Sequence, residues 1–412
     1  MKYGLIGEKL SHSFSASIHG MLGSYDYELC EISKEDFPRF MKERSFLAIN
    51  VTIPYKIDVI PYLDFMDEAS REIGSVNTVV NKNGKLYGYN TDFFGMKSLI
   101  EKLGVSVAGK KCAILGTGGT SRTAKAVLKA LSAGEILLVG REKRAGVITY
   151  GELYELHSDT EIFINTTPLG MFPSVEGTPI DISKFKGARA VIDAVYNPMK
   201  TRLIRDASRL GIAAEGGLYM LVCQGVRASE IFFDKKYPLD TFDTVYKKIK
   251  ASRENIILTG MPASGKSTVG RLISDELSRA FYDTDTLIEE KTGEKIPDIF
   301  KKYGEEYFRN IESEVIAEIS KGTSLVIATG GGAILRLKNV DALSQNGRIY
   351  FIDRPLELLL PTEDRPLSKT KEDIEKRYSE RYDTYLKCAD VRISAEGAPS
   401  EVAEKIYKDI CL

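Results

Sequence analysis

Short apolar runs that alternate with amphipathic stretches along the whole chain constrain its fold more than any other feature. Each run is nearly free of polar residues and is followed by Gly, Asn, Asp or Thr. The runs are Leu47–Val51, Cys112–Leu115, Ile136–Val139, Ile162–Ile164, Ala190–Ile192, Ile256–Leu258, Leu325–Ala328 and Ile349–Ile352. Such runs are typical of buried parallel strands whose two faces are covered by helices. The sequence therefore predicts an α/β protein with several parallel sheets.

The length and charge of the chain limit its organisation and its partners. A chain of 412 residues is long enough for two or three domains. The charged run Lys247–Glu254 lies between an amphipathic stretch and a new apolar run, so it marks the expected seam. The formal net charge of −1 gives no global electrostatic reason to bind nucleic acid or an anionic membrane surface. We expect neither partner.

Cysteine usage and hydropathy indicate the compartment. The five cysteines are scattered, odd in number and without a C-x-x-C pair, so they are expected to be free thiols. The N-terminus has no signal-peptide pattern, and no apolar run approaches the length of a membrane span. We expect a cytoplasmic protein.

The strongest single motif is Gly260-Met261-Pro262-Ala263-Ser264-Gly265-Lys266-Ser267, which fits G-x4-G-K-[ST]. It follows an apolar run and precedes an amphipathic stretch, as a phosphate-binding loop requires. Backbone N–H groups of such a loop surround phosphates, its lysine neutralises β/γ charge, and its hydroxyl reaches Mg²⁺. The motif predicts a site for ATP and Mg²⁺, and the absence of an Asn-Lys-x-Asp motif argues against a GTPase.

Residues 255–412 resemble shikimate kinase, because further motifs follow the loop in that family's order. They are Asp283-x-Asp285, Thr292-Gly293, Ile299-Phe300, Gly304-Glu305, Phe308-Arg309-x2-Glu312, Gly330-Gly331-Gly332-Ala333, Arg365-Pro366-Leu367 and Arg381-x3-Tyr385. The resemblance implies a P-loop domain of the nucleoside-monophosphate-kinase type with a parallel sheet.

The resemblance to shikimate kinase also implies roles for individual residues. Asp285, Arg309, Gly331 and Arg381 would hold shikimate, and Asp285 would be the base for the attacking 3-hydroxyl. Lys266 and Arg365 would stabilise the transferring phosphoryl group, as loose phosphoryl transfer requires. Gly260, Gly265, Lys266, Ser267 and Thr268 would hold the nucleotide, and Ser267 with Asp283 would bind Mg²⁺.

Two features of residues 255–412 leave alternative interpretations open. Arg309 and Glu312 have the spacing of an ordinary surface ion pair on a helix, which is the common fate of such residues. The segment Asp353–Asp364 is shorter than usual for the family and lacks the basic residue that typically precedes Arg365. The contacts of the adenine base are therefore left open.

A second glycine-rich turn, Gly116-Thr117-Gly118-Gly119-Thr120-Ser121, lies between an apolar run and an amphipathic stretch. The next apolar run ends in Gly140-Arg141, with Arg144 close behind, where NAD enzymes have an acidic residue. A basic residue suits a ribose 2′-phosphate, so the turn favours NADP. The alternative is a solvated basic loop.

Polar residues cluster after the apolar runs of the first 92 residues, in Ser11–Ser15, Asn50–Lys56, Ser75–Thr78 and Asn90–Asp92. Hydroxyls and amides suit a polyhydroxylated ligand, and a lysine with an aspartate suits proton transfer to an oxygen. Each segment is ambiguous alone, since a lysine after a strand is usually on the surface and Asn-Thr-Asp can simply cap a helix. His12 and His19 are assigned no catalytic role.

Together these segments resemble shikimate dehydrogenase across residues 3–245. The resemblance implies that Lys56 and Asp92 form the catalytic pair. It places these residues at the substrate: Ser13, Ser15, Thr52, Asn77, Tyr196 and Gln224. It places these at the cofactor: Gly116, Gly118, Gly119, Ser121, Arg141, Arg144, Thr166 and Gly217. The implied fold is a two-lobe unit with a Rossmann lobe for NADP or NADPH.

The expected organisation has a substrate lobe at 1–92 completed by 217–247, an NADP lobe at 93–216, a linker at 248–254 and a kinase domain at 255–412. The implied activity is a bifunctional one, in which 3-dehydroshikimate is reduced and the resulting shikimate is phosphorylated. Two alternatives remain at this stage. One is a quinate or shikimate dehydrogenase fused to another small-molecule kinase. The other is a sensor of shikimate-type ligands, which would be expected to have lost catalytic groups and gained a DNA-binding segment.

Overall fold

The computed structural model describes residues 1–10, 14–23, 25–359 and 370–411, which form two compact units, Met1–Ile249 and Lys250–Leu412. Helix α9, which begins at Asp240, continues to Arg253, so most of the segment predicted as a linker is helical. No helix within these described ranges has the length and apolarity needed to cross a bilayer. Cys112 and Cys223 are buried free thiols, whereas Cys30 and Cys388 are half-buried free thiols.

The first unit contains a six-stranded mixed sheet with the strand order β2-β1-β3-β5-β6-β4. Its strands are β1 (Tyr3–Gly7), β2 (Tyr27–Glu31), β3 (Ala48–Val51), β4 (Phe65–Met66), β5 (Thr78–Lys82) and β6 (Lys85–Tyr89). Strands β1, β2 and β3 are parallel, but β5 runs antiparallel to both β3 and β6. This sheet is therefore mixed, and the Asn83-Gly84 turn, with both residues at positive φ, forms the antiparallel hairpin of β5 and β6.

Six helices accompany this sheet in the first unit. They are α1 (Ser15–Gly20), α2 (Phe37–Glu43), α3 (Glu68–Ile73), α4 (Thr91–Lys102), α8 (Leu218–Phe233) and α9 (Asp240–Arg253). Asn90 caps α4 by accepting a hydrogen bond from the N–H of Phe93. Helices α4 and α8 approach closely at Gly95, where a Cβ would lie 2.5 Å from the carbonyl oxygen of Met220. This contact brings α4 directly against α8.

A second six-stranded sheet in the first unit is parallel throughout, with the order β12-β11-β10-β7-β8-β9. Its strands are β7 (Lys111–Leu115), β8 (Glu135–Gly140), β9 (Ile148–Thr149), β10 (Ile162–Asn165), β11 (Ala190–Asp193) and β12 (Ala213–Glu215). Its helices are α5 (Gly119–Ala130), α6 (Tyr150–Leu156) and α7 (Arg202–Arg209). Cys112 and Ile114 pack in one apolar cluster and Ala113 and Leu115 in another, which explains why this strand is apolar throughout. The order of strands reverses beside β7, and ligands of such sheets bind at that point.

The second unit is a five-stranded parallel sheet with the order β14-β15-β13-β16-β17. Its strands are β13 (Asn255–Thr259), β14 (Phe281–Asp283), β15 (Val326–Ala328), β16 (Gly347–Asp353) and β17 (Val391–Ser394). Its helices are α10 (Lys266–Leu277), α11 (Thr284–Thr292), α12 (Ile296–Tyr303), α13 (Glu305–Ile319), α14 (Leu337–Asn346), α15 (Lys371–Cys388) and α16 (Pro399–Cys411). The order reverses beside β13, so the loop between β13 and α10 lies at the expected binding edge.

Candidate functional site

The first unit contains a cavity of about 460 Å³ that gathers polar side chains from several elements. Its lining includes the apolar residues Leu5, Leu10, Phe14, Val51, Ala194, Met220 and Leu221, together with Gly217. Its polar lining comprises Lys9, Ser15, Asn50, Thr52, Lys56, Asn77, Asp92, Thr120, Tyr196 and Gln224. A concave pocket in which polar groups converge is a common form of a small-molecule site, and this many polar groups suits a polar ligand.

Lys56 and Asp92 form an ion pair in this cavity. Lys56 Nζ donates to Asp92 Oδ2 at 2.6 Å, and their side chains are 29% and 17% exposed. Asp92 is in the first turn of α4, so the reading of Asn-Thr-Asp as a helix cap applies to Asn90, and Asp92 faces the cavity instead. The pair holds an ammonium group beside a carboxylate where both reach a ligand.

Hydrogen bonds fix the amide groups that line the cavity. Asn77 donates from Nδ2 to Thr91 Oγ1 at 3.0 Å and accepts at Oδ1 from the N–H of Thr91 at 2.7 Å. Asn50 donates to Thr78 Oγ1 at 3.1 Å and accepts from the hydroxyl of Tyr27 at 2.7 Å. The sequence reasoning included Asn50 only within a polar segment. Its position inside the otherwise apolar strand β3 is the signal that could have singled it out.

The remaining residues predicted at the substrate are distributed around the same cavity. Ser15 begins α1, Thr52 follows β3, and both line the cavity. Gln224 on α8 donates from Nε2 to the carbonyl oxygen of Leu221 at 2.9 Å, which leaves its Oε1 near the hydroxyl of Thr91. Ser13 lies outside the described residues.

Tyr196 and Gly217 form another part of the wall. The ring centroid of Tyr196 lies 5.4 Å from that of Phe14, and burial raises the pKa of the Tyr196 hydroxyl. Gly217, which was predicted at the cofactor, lines the cavity beside Ala194, and a Cβ on it would lie 2.3 Å from the carbonyl oxygen of Ala194. Only a glycine permits this approach.

His19 is not among the residues that line the cavity. It is buried, its ring stacks on that of Tyr27 with centroids 3.9 Å apart, and its Nδ1 lies 2.5 Å from the hydroxyl of Tyr25. Burial lowers the pKa of His19 to about 3, so the ring is neutral near pH 7. This environment is structural, as the sequence suggested. His12 lies outside the described residues.

The glycine-rich turn between β7 and α5 has room for a phosphate. Gly116 has φ +108°, and a Cβ there would lie 2.9 Å from Thr166 Oγ1. Nothing lies within 4 Å of a Cβ on either Gly118 or Gly119. The open side is at the N-terminus of α5, where backbone N–H groups favour an anion.

Side chains around the turn hold it in place. Ser121 is buried and donates to the carbonyl oxygen of Gly118 at 2.6 Å, and Thr166 donates to that of Leu115 at 2.8 Å. Thr120, on the first turn of α5, also lines the cavity that holds Lys56. A dinucleotide in the turn would therefore adjoin the cavity. The residues present fit that group.

Basic residues follow β8 as predicted, but acidic residues accompany them. Arg144 donates to Glu142 Oε2 at 3.0 Å, with both side chains largely exposed. Lys143 forms an ion pair with Glu152. Arg141 forms no ion pair with any residue in the described ranges. The segment thus presents Arg141 and Arg144 near the turn, with a carboxylate between them in the sequence.

The phosphate-binding loop of the second unit has its expected form. Gly265 has φ +92° and precedes α10, whose first residue is Lys266. Lys266 is buried, and its Nζ donates to the carbonyl oxygens of Gly260 and Met261 at 3.0 and 2.8 Å. The lysine is therefore held over the loop that would surround the phosphates.

A hydroxyl and a carboxylate meet beside this loop. Ser267 donates to Asp283 Oδ2 at 2.6 Å, and Asp283 Oδ1 accepts from the N–H of Asp285. Mg²⁺ in phosphate-transfer sites is commonly held by one or two protein oxygens together with substrate phosphates. Ser267 and Asp283 fit that donor set. Thr268 is exposed in the first turn of α10, and Arg365 lies outside the described residues.

The other residues predicted at the kinase substrate converge on the glycine turn after β15. A Cβ on Gly330 would lie 2.7 Å from Asp285 Oδ1, and one on Gly332 would clash with the guanidinium of Arg309. Arg381 donates to the carbonyl oxygen of Gly331 at 3.2 Å. One carboxylate and two guanidinium groups thus surround a turn that faces the phosphate loop.

Arg309 and Glu312 are buried and not on the surface, so the alternative of an ordinary surface pair is wrong. Arg309 donates to Glu312 Oε2 at 2.9 Å and to Glu305 Oε1 at 3.1 Å. Burial raises the pKa of Glu312, whereas the positive charge of Arg309 lowers it. The effect of burial is the larger one, so the pKa of Glu312 is raised. The pair fixes the Arg309 guanidinium beside the glycine turn.

Family models match both units. A model described as shikimate dehydrogenase substrate binding domain matches residues 5–79, and one described as shikimate kinase matches residues 262–411. These matches cover the strands that carry the polar cavity and almost all of the second unit.

Similar proteins match the first unit over nearly their whole length. The shikimate dehydrogenase (NADP(+)) of Clostridium perfringens strain SM101 is 36% identical over 266 residues, covering 60% of this chain and 98% of the relative. The crystal structure of shikimate dehydrogenase 1 from Peptoclostridium difficile is 35% identical with a TM-score of 0.55, covering 60% and 98% of the two chains. A chorismate mutase/shikimate 5-dehydrogenase fusion protein from Clostridium acetobutylicum is 34% identical with a TM-score of 0.57, covering 60% and 96%.

Proposed function

The chain belongs to the shikimate dehydrogenase family over its first unit and carries a shikimate kinase domain in its second, and from this premise we propose that it catalyses two consecutive reactions. It is a bifunctional enzyme of the shikimate pathway, with an NADP-dependent oxidoreductase and an ATP- and Mg²⁺-dependent kinase. The first unit reduces 3-dehydroshikimate to shikimate. The second phosphorylates shikimate at its 3-hydroxyl.

The observation that carries the first assignment is the ion pair of Lys56 and Asp92 in the cavity that Thr120 also lines. Bound NADPH supplies a hydride to the carbonyl carbon of 3-dehydroshikimate. Lys56 donates a proton to the carbonyl oxygen as negative charge develops on it, and Asp92 holds the ammonium in position. The amide and hydroxyl groups of Asn77, Thr52 and Ser15 bind the remaining oxygens of the substrate.

The arrangement of the second unit supports the second assignment. Arg309 and Arg381 hold the carboxylate of shikimate, and Asp285 accepts the proton of the attacking hydroxyl. Lys266 neutralises charge on the transferring phosphoryl group. Bound Mg²⁺, held by Ser267 and Asp283, adds further charge neutralisation there. Such a site works by positioning and electrostatics more than by covalent chemistry.

One coupled assay tests both assignments with the full-length chain. Purified protein is mixed with 3-dehydroshikimate, NADPH and Mg·ATP, and products are identified by mass spectrometry. We expect shikimate 3-phosphate, shikimate alone when ATP is omitted, and neither when NADPH is omitted. Product from quinate-type substrates alone would favour the alternative dehydrogenase, and ligand binding without turnover would favour a sensor.

A further inference from the structure

The end of β8 lies against the glycine-rich turn of the first unit, and Glu142 follows two residues later. A Cβ on Gly140 would lie 3.2 Å from Thr117 Cγ2 of that turn and 3.6 Å from the carbonyl oxygen of Glu142. In dinucleotide sites, a residue near the end of this strand contacts the adenosine ribose and distinguishes its 2′-hydroxyl from a 2′-phosphate. Glu142 is therefore within the part of the fold that selects between NAD and NADP.

The carboxylate of Glu142 forms an ion pair with Arg144, which is one of the two arginines expected to bind the 2′-phosphate. Arg144 Nη2 donates to Glu142 Oε2 at 3.0 Å. This hydrogen bond, and secondarily the charge of Arg141, keeps the pKa of Glu142 below its usual range. Glu142 thus stays ionised at neutral pH in the field of both arginines.

A carboxylate at this position interacts differently with the 2′-hydroxyl of NAD and the 2′-phosphate of NADP. A ribose 2′-hydroxyl can donate a hydrogen bond to it, because an ionised carboxylate only accepts. A 2′-phosphate must instead displace Glu142 from Arg144 and then lie beside its negative charge. The 2′-phosphate can displace Glu142 from Arg144 because exposed ion pairs are weak. The repulsion between the phosphate and the Glu142 carboxylate remains, however, and it lowers the affinity for NADP but not for NAD.

We propose that Glu142 sets the cofactor preference of this unit, so that the site accepts NAD as well as NADP. This inference rests on the dehydrogenase function proposed above. Arg141 and Arg144 provide affinity for the 2′-phosphate of NADP, and Glu142 offsets part of it while binding the 2′-hydroxyl of NAD. Both cofactors then bind to the wild-type chain.

Equilibrium binding of NADP and NAD to the full-length chain tests the inference by isothermal titration calorimetry. Glu142→Gln keeps the size of the side chain and removes its charge. We expect the ratio of NADP affinity to NAD affinity to rise about tenfold. Glu142→Asp keeps the carboxylate and should keep the wild-type ratio of NADP affinity to NAD affinity. Arg144→Ala should weaken NADP binding but not NAD binding.

The matched control is Glu155→Gln, which removes the same charge from an exposed position on α6 of the same lobe. It should leave the ratio unchanged. A ratio that stays within threefold of wild type in Glu142→Gln overturns the inference, as does wild-type binding of NADP only. Absence of dehydrogenase turnover with either cofactor would instead refute the proposed function, since the binding ratio is measured without substrate.

Discussion

Lys56 Nζ lies 2.6 Å from Asp92 Oδ2, which joins the loop after β3 to the first turn of α4. The pair is one of two charged clusters that the proposed function assigns to separate reactions. The other, around Lys266, belongs to the second unit. Since the units are compact on their own, substitutions in one should spare the chemistry of the other.

Lys56→Ala should lower kcat for NADPH oxidation by about 10²- to 10⁴-fold, the usual contribution of a positioned acid or base. Its phosphorylation of supplied shikimate should remain at the wild-type rate. Lys266→Ala should show the reverse pattern. Both rates are measured on the same preparations, and loss of both activities in either variant would contradict the model of two independent sites.

Gly119→Ala should weaken cofactor binding without unfolding the turn. A Cβ at this position meets nothing within 4 Å, so the methyl group enters the space left for a phosphate. We expect KM for NADPH to rise about tenfold or more, while stability stays equal or rises by up to about 1 kcal/mol, because alanine is the better helix former.

Gly116→Ala is the matched comparison for that variant. It places an alanine at φ +108° and within 2.9 Å of Thr166 Oγ1. Strain of this kind costs about 1–3 kcal/mol, so this variant should lose both stability and cofactor binding. Equal stability of the two variants by thermal denaturation would show that the turn is not held as described.

The fold was predictable where apolar runs are buried on both faces. Cys112–Leu115 and Ile256–Leu258 are such runs, and both lie in fully parallel sheets. The apolar runs do not predict the antiparallel strand β5, although the Asn83-Gly84 pair indicates its hairpin with β6. Short half-buried strands such as β2 carry too little hydrophobic pattern to be recognised.

Motifs predicted the residues of the candidate sites, but not the contacts between them. The sequence suggested that Lys56 and Asp92 act together, yet their distance depends on the fold, which brings together two residues 36 apart in the sequence. Glu142 lies among basic residues, and their pattern predicts a phosphate contact without indicating that a carboxylate pairs with one of them. Its ion pair with Arg144 is a side-chain contact that composition cannot reveal.

Asp193→Asn should remove a pH dependence of stability in the first unit. Burial raises the pKa of Asp193 from 3.8 to about 6, although it accepts hydrogen bonds from Thr201, Val195 and Asn165. The folded chain therefore holds this proton more tightly than the unfolded chain does. The contribution of Asp193 to the free energy of unfolding falls by about 3 kcal/mol as pH rises from about 4 to about 6, and is constant above that range.

Asparagine can keep these contacts, since its Oδ1 accepts from Val195 and Asn165 and its amide can donate to Thr201. We expect wild type and variant to agree at pH 4, with the variant more protected at pH 7. Hydrogen exchange of a peptide covering 190–195 is the appropriate measurement, because a chain with two units need not unfold in one step. Equal protection at pH 7 would show that Asp193 keeps its ordinary pKa.

Tyr385→Phe should impair the kinase by loosening the contact between its two glycine-rich loops. The Tyr385 hydroxyl is buried between the carbonyl oxygens of Gly260 and Gly331, 3.0 Å from the first and in a short hydrogen bond with the second. Removing it leaves carbonyl groups that lose a buried donor, at a cost of about 1–2 kcal/mol. We expect KM for ATP and for shikimate each to rise about three- to tenfold, with NADPH oxidation unchanged.

Tyr382→Phe is the control for that variant, because Tyr382 lies on the same helix and donates to Asp353 Oδ2 at 3.0 Å. This variant also loses a tyrosine hydroxyl hydrogen bond, but one to a carboxylate that belongs to neither glycine loop. A bridging role for Tyr385 requires that only Tyr385→Phe raises both KM values, even if the two variants lose similar stability in thermal denaturation. Equal kinetic effects in both variants would mean that helix α15 supports the site as a whole and that the Tyr385 hydroxyl has no specific part in aligning the loops.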